Sequence, residues 1–171
     1  MLDSKVFIKL LDDNGCDYDL HEHEALFTVS ESNKLRGQIQ GSHSKNLFLK
    51  IKKNKFFLIS CEEFTDISLK KISKFLCLGN VSFAKKEYLQ SLLGVRPGSV
   101  TPLALLNDIK NIIDFYLDEK LYNSEFVNFH PLRNTATLTM KCSTFIEFMI
   151  ENNKKIHIFS TVEEVIIKTY E

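Results

Sequence analysis

The chain has no tryptophan, only three prolines and six glycines, and its four cysteines form no C-x-x-C pair. Cys16, Cys61, Cys77 and Cys142 are too scattered to frame a zinc knuckle, so unpaired thiols in a reducing compartment are expected. No stretch approaches the ~18 uninterrupted apolar residues of a membrane-crossing helix. No apolar core of a signal peptide follows Met1-Leu2-Asp3-Ser4-Lys5. A cytoplasmic protein without a membrane partner is the expectation. Also missing are the phosphate-cradling P-loop, G-x-G-x-x-G, G-x-S-x-G and H-E-x-x-H, which argues against P-loop, dinucleotide, serine-hydrolase and zincin chemistry.

What is present is ordinary in bulk. With 171 residues, 44% hydrophobic and 26% charged, the chain fits one domain spanning 1–171. Net charge is zero, yet residues 34–86 hold twelve Lys or Arg against three acids. Four of those cations stand in Lys50-Ile51-Lys52-Lys53-Asn54-Lys55. Such a segment suits a polyanion such as RNA, and equally suits a merely solvated face.

Periodicity gives the elements. Asp3 to Asn14 reads as a helix stopped by Gly15, and Tyr18 to Glu22 as a short strand. Thr28-Val29-Ser30-Glu31 is a capping box opening a short helix. Asn46–Lys52 and Lys55–Ser60 read as a hairpin turned at Lys53-Asn54. Helices follow at Ser68–Cys77 and Ala84–Leu93, then strands at Asn111–Leu117, Phe126–His130 and Thr135–Met140. The helix Ser143–Glu151, a strand Ile156–Phe159 and a terminal helix capped by Ser160-Thr161-Val162-Glu163 complete the chain. Irregular mixing of hairpins and helices favours an α+β fold over alternating βαβ units.

Three stretches set glycine, proline or an isolated charge against apolar strand-like residues: Gly41 to Leu49, Gly94 to Pro102 and Val127 to Thr137. Lys45 is either a point charge for a phosphate oxygen or a solvated strand-end lysine. Asn46 is either a substrate hydrogen-bonder or a turn former at a strand edge. In Gly98-Ser99-Val100-Thr101-Pro102, glycine lets backbone approach a ligand and proline stiffens the loop, although common structural turns share the pattern. His130 has the pKa range for proton transfer at neutral pH, and also suits a hydrogen-bonded structural role. His21-x-His23 places two imidazoles on one strand face, but no further ligands are spaced to complete a metal site. No metal and no cofactor are expected.

Together these stretches resemble the free-standing relatives of the prolyl-tRNA synthetase editing domain (the YbaK-like superfamily), and within it the branch that hydrolyses alanine mischarged onto proline tRNA. The resemblance covers roughly Leu20 to Val165. It implies a single mixed, partly barrel-like sheet wrapped by helices, and a trans-editing deacylase acting on the acceptor end of mischarged tRNA. Prolyl-tRNA synthetase becomes a candidate partner. Carried over residue by residue, it implies that Lys45 holds a phosphate near the tRNA 3′ end, that the Gly98 loop shapes the aminoacyl pocket, and that His130 lines it. Asn46, Ser99, Val100, Thr101, Pro102 and Phe129 join as substrate contacts. Gln38-Ile39-Gln40-Gly41 departs from the family in lacking a proline before the glycine, which loosens the approach to Lys45. The alternatives are a deacylase for mischarged cysteine or serine, a non-catalytic RNA-binding module, and a metal-dependent hydrolase built on His21 and His23.

Overall fold

A computed structural model describes residues 1–25, 38–51, 55–77 and 79–171. The helix expected from Thr28 and the Lys53-Asn54 turn lie outside them.

The described strands form one mixed sheet. They are β1 (Tyr18–Glu22), β2 (Ser42–Ile51), β3 (Lys55–Glu62), β4 (Ser82–Phe83), β5 (Ile113–Asp118), β6 (Phe126–Phe129), β7 (Ala136–Lys141), β8 (Ile156–Ser160) and β9 (Val165–Tyr170). Their order is β1-β7-β6-β2-β3-β5-β8-β9, with β4 also paired to β2. The pairs β2–β6, β3–β5 and β5–β8 are parallel; the rest are antiparallel. With helices on the sheet, this is the expected α+β class.

Side-chain alternation gives the sheet two apolar faces. Phe48, Phe56, Leu58, Phe115, Val127, Phe129 and Leu138 belong to the larger core. The helices Ser4–Asp13 and Cys142–Glu151 cover it, with Phe7 edge-on to Phe148 and Phe145 against Phe115 and Phe129. Leu49, Phe57, Ile59, Cys61, Tyr116 and Phe159 form the smaller core on the opposite face. Ile72 of the helix Leu69–Phe75 packs there.

Two expectations are corrected. The C-terminal segment is not a helix. Ser160 Oγ does accept the Glu163 N–H at 3.2 Å, as a cap would. Glu164 then adopts φ +54°, and the β-branched Val165 and Ile166 pair with Ser160 and Phe159 of β8 instead, with Ile167 at a bulge in the pairing. The helix expected at Ala84–Leu93 is one α-turn, Lys86–Tyr88, followed by a π-turn, Leu89–Leu93. Gly94 at φ +67° stops it as expected.

Gly41 has φ +94°, and a Cβ there would lie 2.6 Å from the Phe126 carbonyl oxygen. This close approach seats β2 beside β6. Gly41→Ala is expected to lower unfolding free energy by about 2–4 kcal/mol through combined backbone strain and steric clash. Gly79→Ala, whose Cβ would meet nothing within 4 Å, is expected to stay within about 0.5 kcal/mol. Urea unfolding of the two variants measures the difference.

Candidate functional site

Register and alternation decide which side chains share a face. β2 pairs with β6 at His43 opposite Asn128, and β6 pairs with β7 at Asn128 opposite Thr139. With a period of two, His43 and Lys45 therefore project on the same face as Asn128, Thr137 and Thr139, with His130 next along β6. The intervening residues Val127, Phe129, Leu138 and Met140 go to the larger core. The outcome is a polar patch where β2, β6 and β7 adjoin.

Lys45 stands opposite Cys61 of β3 and is half-buried. Its Nζ donates to the backbone carbonyl of Thr65, in the loop after β3. Among the described residues Lys45 uses one of its three ammonium donors, on a neutral acceptor, and the Asp66 carboxylate feels its charge only at longer range. Burial, then the Asp118 carboxylate, push the Cys61 thiol up to about 12, outweighing the opposing field of Lys45. Cys61 is an inert thiol rather than a nucleophile.

His130 is half-buried, and its Nδ1 lies 2.9 Å from the Ala136 carbonyl. A carbonyl only accepts, so Nδ1 carries the proton and neutral His130 keeps a lone pair on Nε2. Burial lowers the His130 pKa below the ordinary histidine value; the Ala136 hydrogen bond opposes this, and His23 and His43 reinforce it. His23 lies 6.5 Å from His130 between ring centroids. Its Nδ1 donates to the Glu24 carbonyl at 2.7 Å, so its Nε2 accepts the Thr137 hydroxyl proton at 3.0 Å. Among the described residues, no group of three or more His, Cys, Asp or Glu side chains is arranged to hold a metal ion.

The other expected residues are placed differently. Asn46 is not at a strand edge turn. It lies inside β2, facing away from Lys45, and its Oδ1 accepts from the buried Ser60 hydroxyl at 2.6 Å. Phe129, expected as a substrate contact, is a core side chain 4.8 Å from the Phe145 ring. The Gly98 loop begins as a turn in which Ser99 N–H donates to Arg96 O at 3.0 Å. Pro97 precedes Gly98, whose φ of +85° fits the third position of a type II turn. Gly98 is exposed. Ser99, Thr101 and Pro102 are buried, and Val100 packs on the larger core. Thr101 caps the 3-10 turn Pro102–Asn107, which explains why a polar residue is tolerated there.

The sequence reading did not single out Asn128, Thr139 or Thr65. Asn128 Oδ1 accepts the Thr139 hydroxyl at 2.5 Å, and both residues are buried. A period-two signal was present in Asn128-Phe129-His130 and Thr137-Leu138-Thr139, where an apolar residue separates each polar pair, but not around Lys45, where Ser42 to Asn46 is polar throughout. Thr65 gave no signal, because its contribution to Lys45 is a backbone carbonyl. A separate cavity of about 270 Å³, lined in part by Asp108, Phe115, Lys154 and His157, lies where β5 begins, at the far end of that strand from Asp118.

Comparison with known proteins bears on this face. The aminoacyl-tRNA editing domain pattern matches residues 23–148. Over 133 residues the chain is 39% identical to the prolyl-tRNA synthetase associated domain-containing protein 1 of Xenopus laevis, covering 75% of this chain and 79% of that protein. It is 30% identical over 134 residues to the prolyl-tRNA editing protein ProX of Acetoanaerobium sticklandii, covering 78% and 82% respectively. A crystal structure described as a candidate trans-editing enzyme for prolyl tRNA synthetase superposes with a TM-score of 0.66 at 19% identity, covering 91% of this chain and 96% of that one. That last likeness concerns the fold alone.

The environment of His130 makes a prediction. Unfolded histidine titrates near about 6.5 and folded His130 titrates lower, so between the two values the unfolded chain binds more protons. Stability held above about pH 6.5 is therefore lost as pH falls through the lowered value. His157 is lowered too, first by burial, so His130→Asn should flatten this slope without abolishing it. Proton NMR of the folded chain is expected to give a His130 midpoint below about 6.5. A midpoint at or above that value would contradict the burial described.

Proposed function

The chain belongs to the aminoacyl-tRNA editing domain family, and from that premise we propose that it is a trans-editing deacylase that hydrolyses the ester joining alanine to proline tRNA. The observation carrying this reading is Lys45, an ammonium with spare donors on a polar face of the family-matched segment. An aminoacyl ester is already an activated acyl group, so positioning, an oxyanion site and an attacking water suffice.

In this reading Lys45 binds a phosphate oxygen near the tRNA 3′ end. The exposed Gly98 turn meets the aminoacyl end, and His130 forms a wall of the acyl pocket. Water oxygen bonds to the ester carbon, the bond to the ribose oxygen breaks, and that oxygen leaves with a proton. The neutral imidazole offers an acceptor at Nε2 without adding charge to the wall. Asn46, with its side chain held by Ser60, contributes through strand geometry rather than by direct contact.

Recognition energetics explain why such an activity is needed. A pocket sized for proline excludes larger amino acids, but each missing methylene changes binding by only about 1–3 kcal/mol. A second site too narrow for the prolyl ring removes the smaller product. The ProX relative is named as a prolyl-tRNA editing protein, and the Xenopus relative is named for association with prolyl-tRNA synthetase. Both names support proline tRNA as the substrate's nucleic-acid part and the synthetase as a partner.

The test is release of amino acid from a panel of tRNAs charged with alanine, cysteine, serine or proline, with and without chelator. Alanine release with prolyl-tRNA left intact, insensitive to chelator, is expected. Lys45→Ala should reduce kcat/KM by about a hundredfold or more while circular dichroism stays unchanged. Faster release of cysteine or serine would reassign the acyl specificity. No release from any member would overturn the deacylase reading in favour of RNA binding alone.

A further inference from the structure

We propose that Asp118 and Thr65 form a positioning relay that aims the Lys45 ammonium. The inference rests on the assignment of Lys45 to the substrate phosphate and extends it to two residues on other elements. Asp118 ends β5 and is 1% exposed. Its Oδ2 accepts the Thr65 hydroxyl at 2.8 Å and the Glu62 N–H at 3.1 Å. Its Oδ1 accepts the Lys120 N–H at 3.4 Å. Thr65, also 1% exposed, closes the turn by donating its N–H to Glu62 O at 3.0 Å. The turn is fastened on its other side, where Glu63 N–H donates to His43 O at 3.0 Å. The Thr65 carbonyl then receives Lys45 Nζ.

The division of labour has a physical reason. A carboxylate in direct contact with Lys45 would fix its direction, but would also offset the charge a phosphate must meet. Here the contact is a neutral carbonyl, and the carboxylate acts one residue away through a hydroxyl. Lysine is a flexible point charge on a four-carbon stem, so fixing one of its donors restricts where the other two can point. A burial-driven need for a turn cap does not explain why the turn's free carbonyl faces the ammonium.

Asp118→Ala would leave the Glu62–Thr65 turn without its acceptor and is a poor probe, because global unfolding would mimic the effect. Thr65→Val keeps the shape and removes only the hydroxyl, whereas Thr65→Ser restores it. Two readouts are taken on folded, full-length protein. The first is the rate of Lys45 acetylation by N-hydroxysuccinimidyl acetate, resolved by mass spectrometry and independent of tRNA. The second is kcat and KM on alanyl-tRNA.

Thr65→Val is expected to raise Lys45 labelling severalfold and to lower kcat/KM by about tenfold or more, with Thr65→Ser returning both toward wild type. Unchanged labelling in Thr65→Val, or a loss that Thr65→Ser does not rescue, overturns the relay and leaves Asp118 a turn cap. If wild-type protein hydrolyses no charged tRNA, the deacylase reading fails by itself. The labelling comparison then still decides whether the relay exists.

Discussion

Strand β2 pairs differently along its two edges, and its neighbours set the chemistry of its two faces. On one edge it runs antiparallel to β3 along its length; on the other it meets β6 in parallel at its start and β4 near its end. Because side chains alternate, His43 and Lys45 face the opposite way from Ser44, Asn46 and Phe48. A register slip of one residue would drive the ammonium into the larger core and Phe48 out of it. The hydrophobic pattern Leu47-Phe48-Leu49, anchored in two different cores, therefore fixes where Lys45 points. Gly41 supports the same constraint by letting the start of β2 reach Phe126.

A polar face inside a sheet costs desolvation unless its groups are paired. Asn128 meets that requirement by donating to Gln40 O at 2.9 Å and accepting from Thr139, while His23 accepts from Thr137. The bond to Gln40 also answers the missing proline before Gly41. The approach to β2 is tied to β6 by a side chain, and Ile39 is buried beside it. Polar pairing thus supplies restraint that a proline would supply through its fixed φ.

Most of the sheet and its helices were legible because their signal is local. β1, the two arms of the β2–β3 hairpin, β5 to β8, and the helices at Ser4–Asp13 and Cys142–Glu151 follow from apolar periodicity and end at recognisable stops. The C-terminal strand was misread because Ser160 makes a genuine cap-like bond, and only pairing with β8 reveals the strand. The site was legible in part for the same reason. Lys45 and His130 come to one face, as their spacing within strands allows. The family resemblance implies Phe129 as a substrate contact, although alternation sends it to the larger core, opposite His130. Thr65 and Asp118 were invisible because their effect is transmitted through a backbone carbonyl and a turn, neither of which has a composition.

The nucleophile follows from what the protein withholds. Cys61 lies on the strand beside Lys45, yet burial holds its thiol near about 12. Cys142 is held near about 11 and Tyr116 near about 12, each first by burial. None of these groups is ionised at neutral pH to attack a carbonyl. His130, with its lowered pKa, is a weak base whose retained lone pair suits accepting a hydrogen bond better than removing a proton from water unaided. The high pKa values of these groups agree with the proposed attack by water, in which the substrate's own activated linkage supplies what a nucleophilic side chain would otherwise provide. That demand falls on orientation, which in the proposed function is the task of Lys45, held by the Thr65 carbonyl, at the nucleic acid rather than at the acyl group.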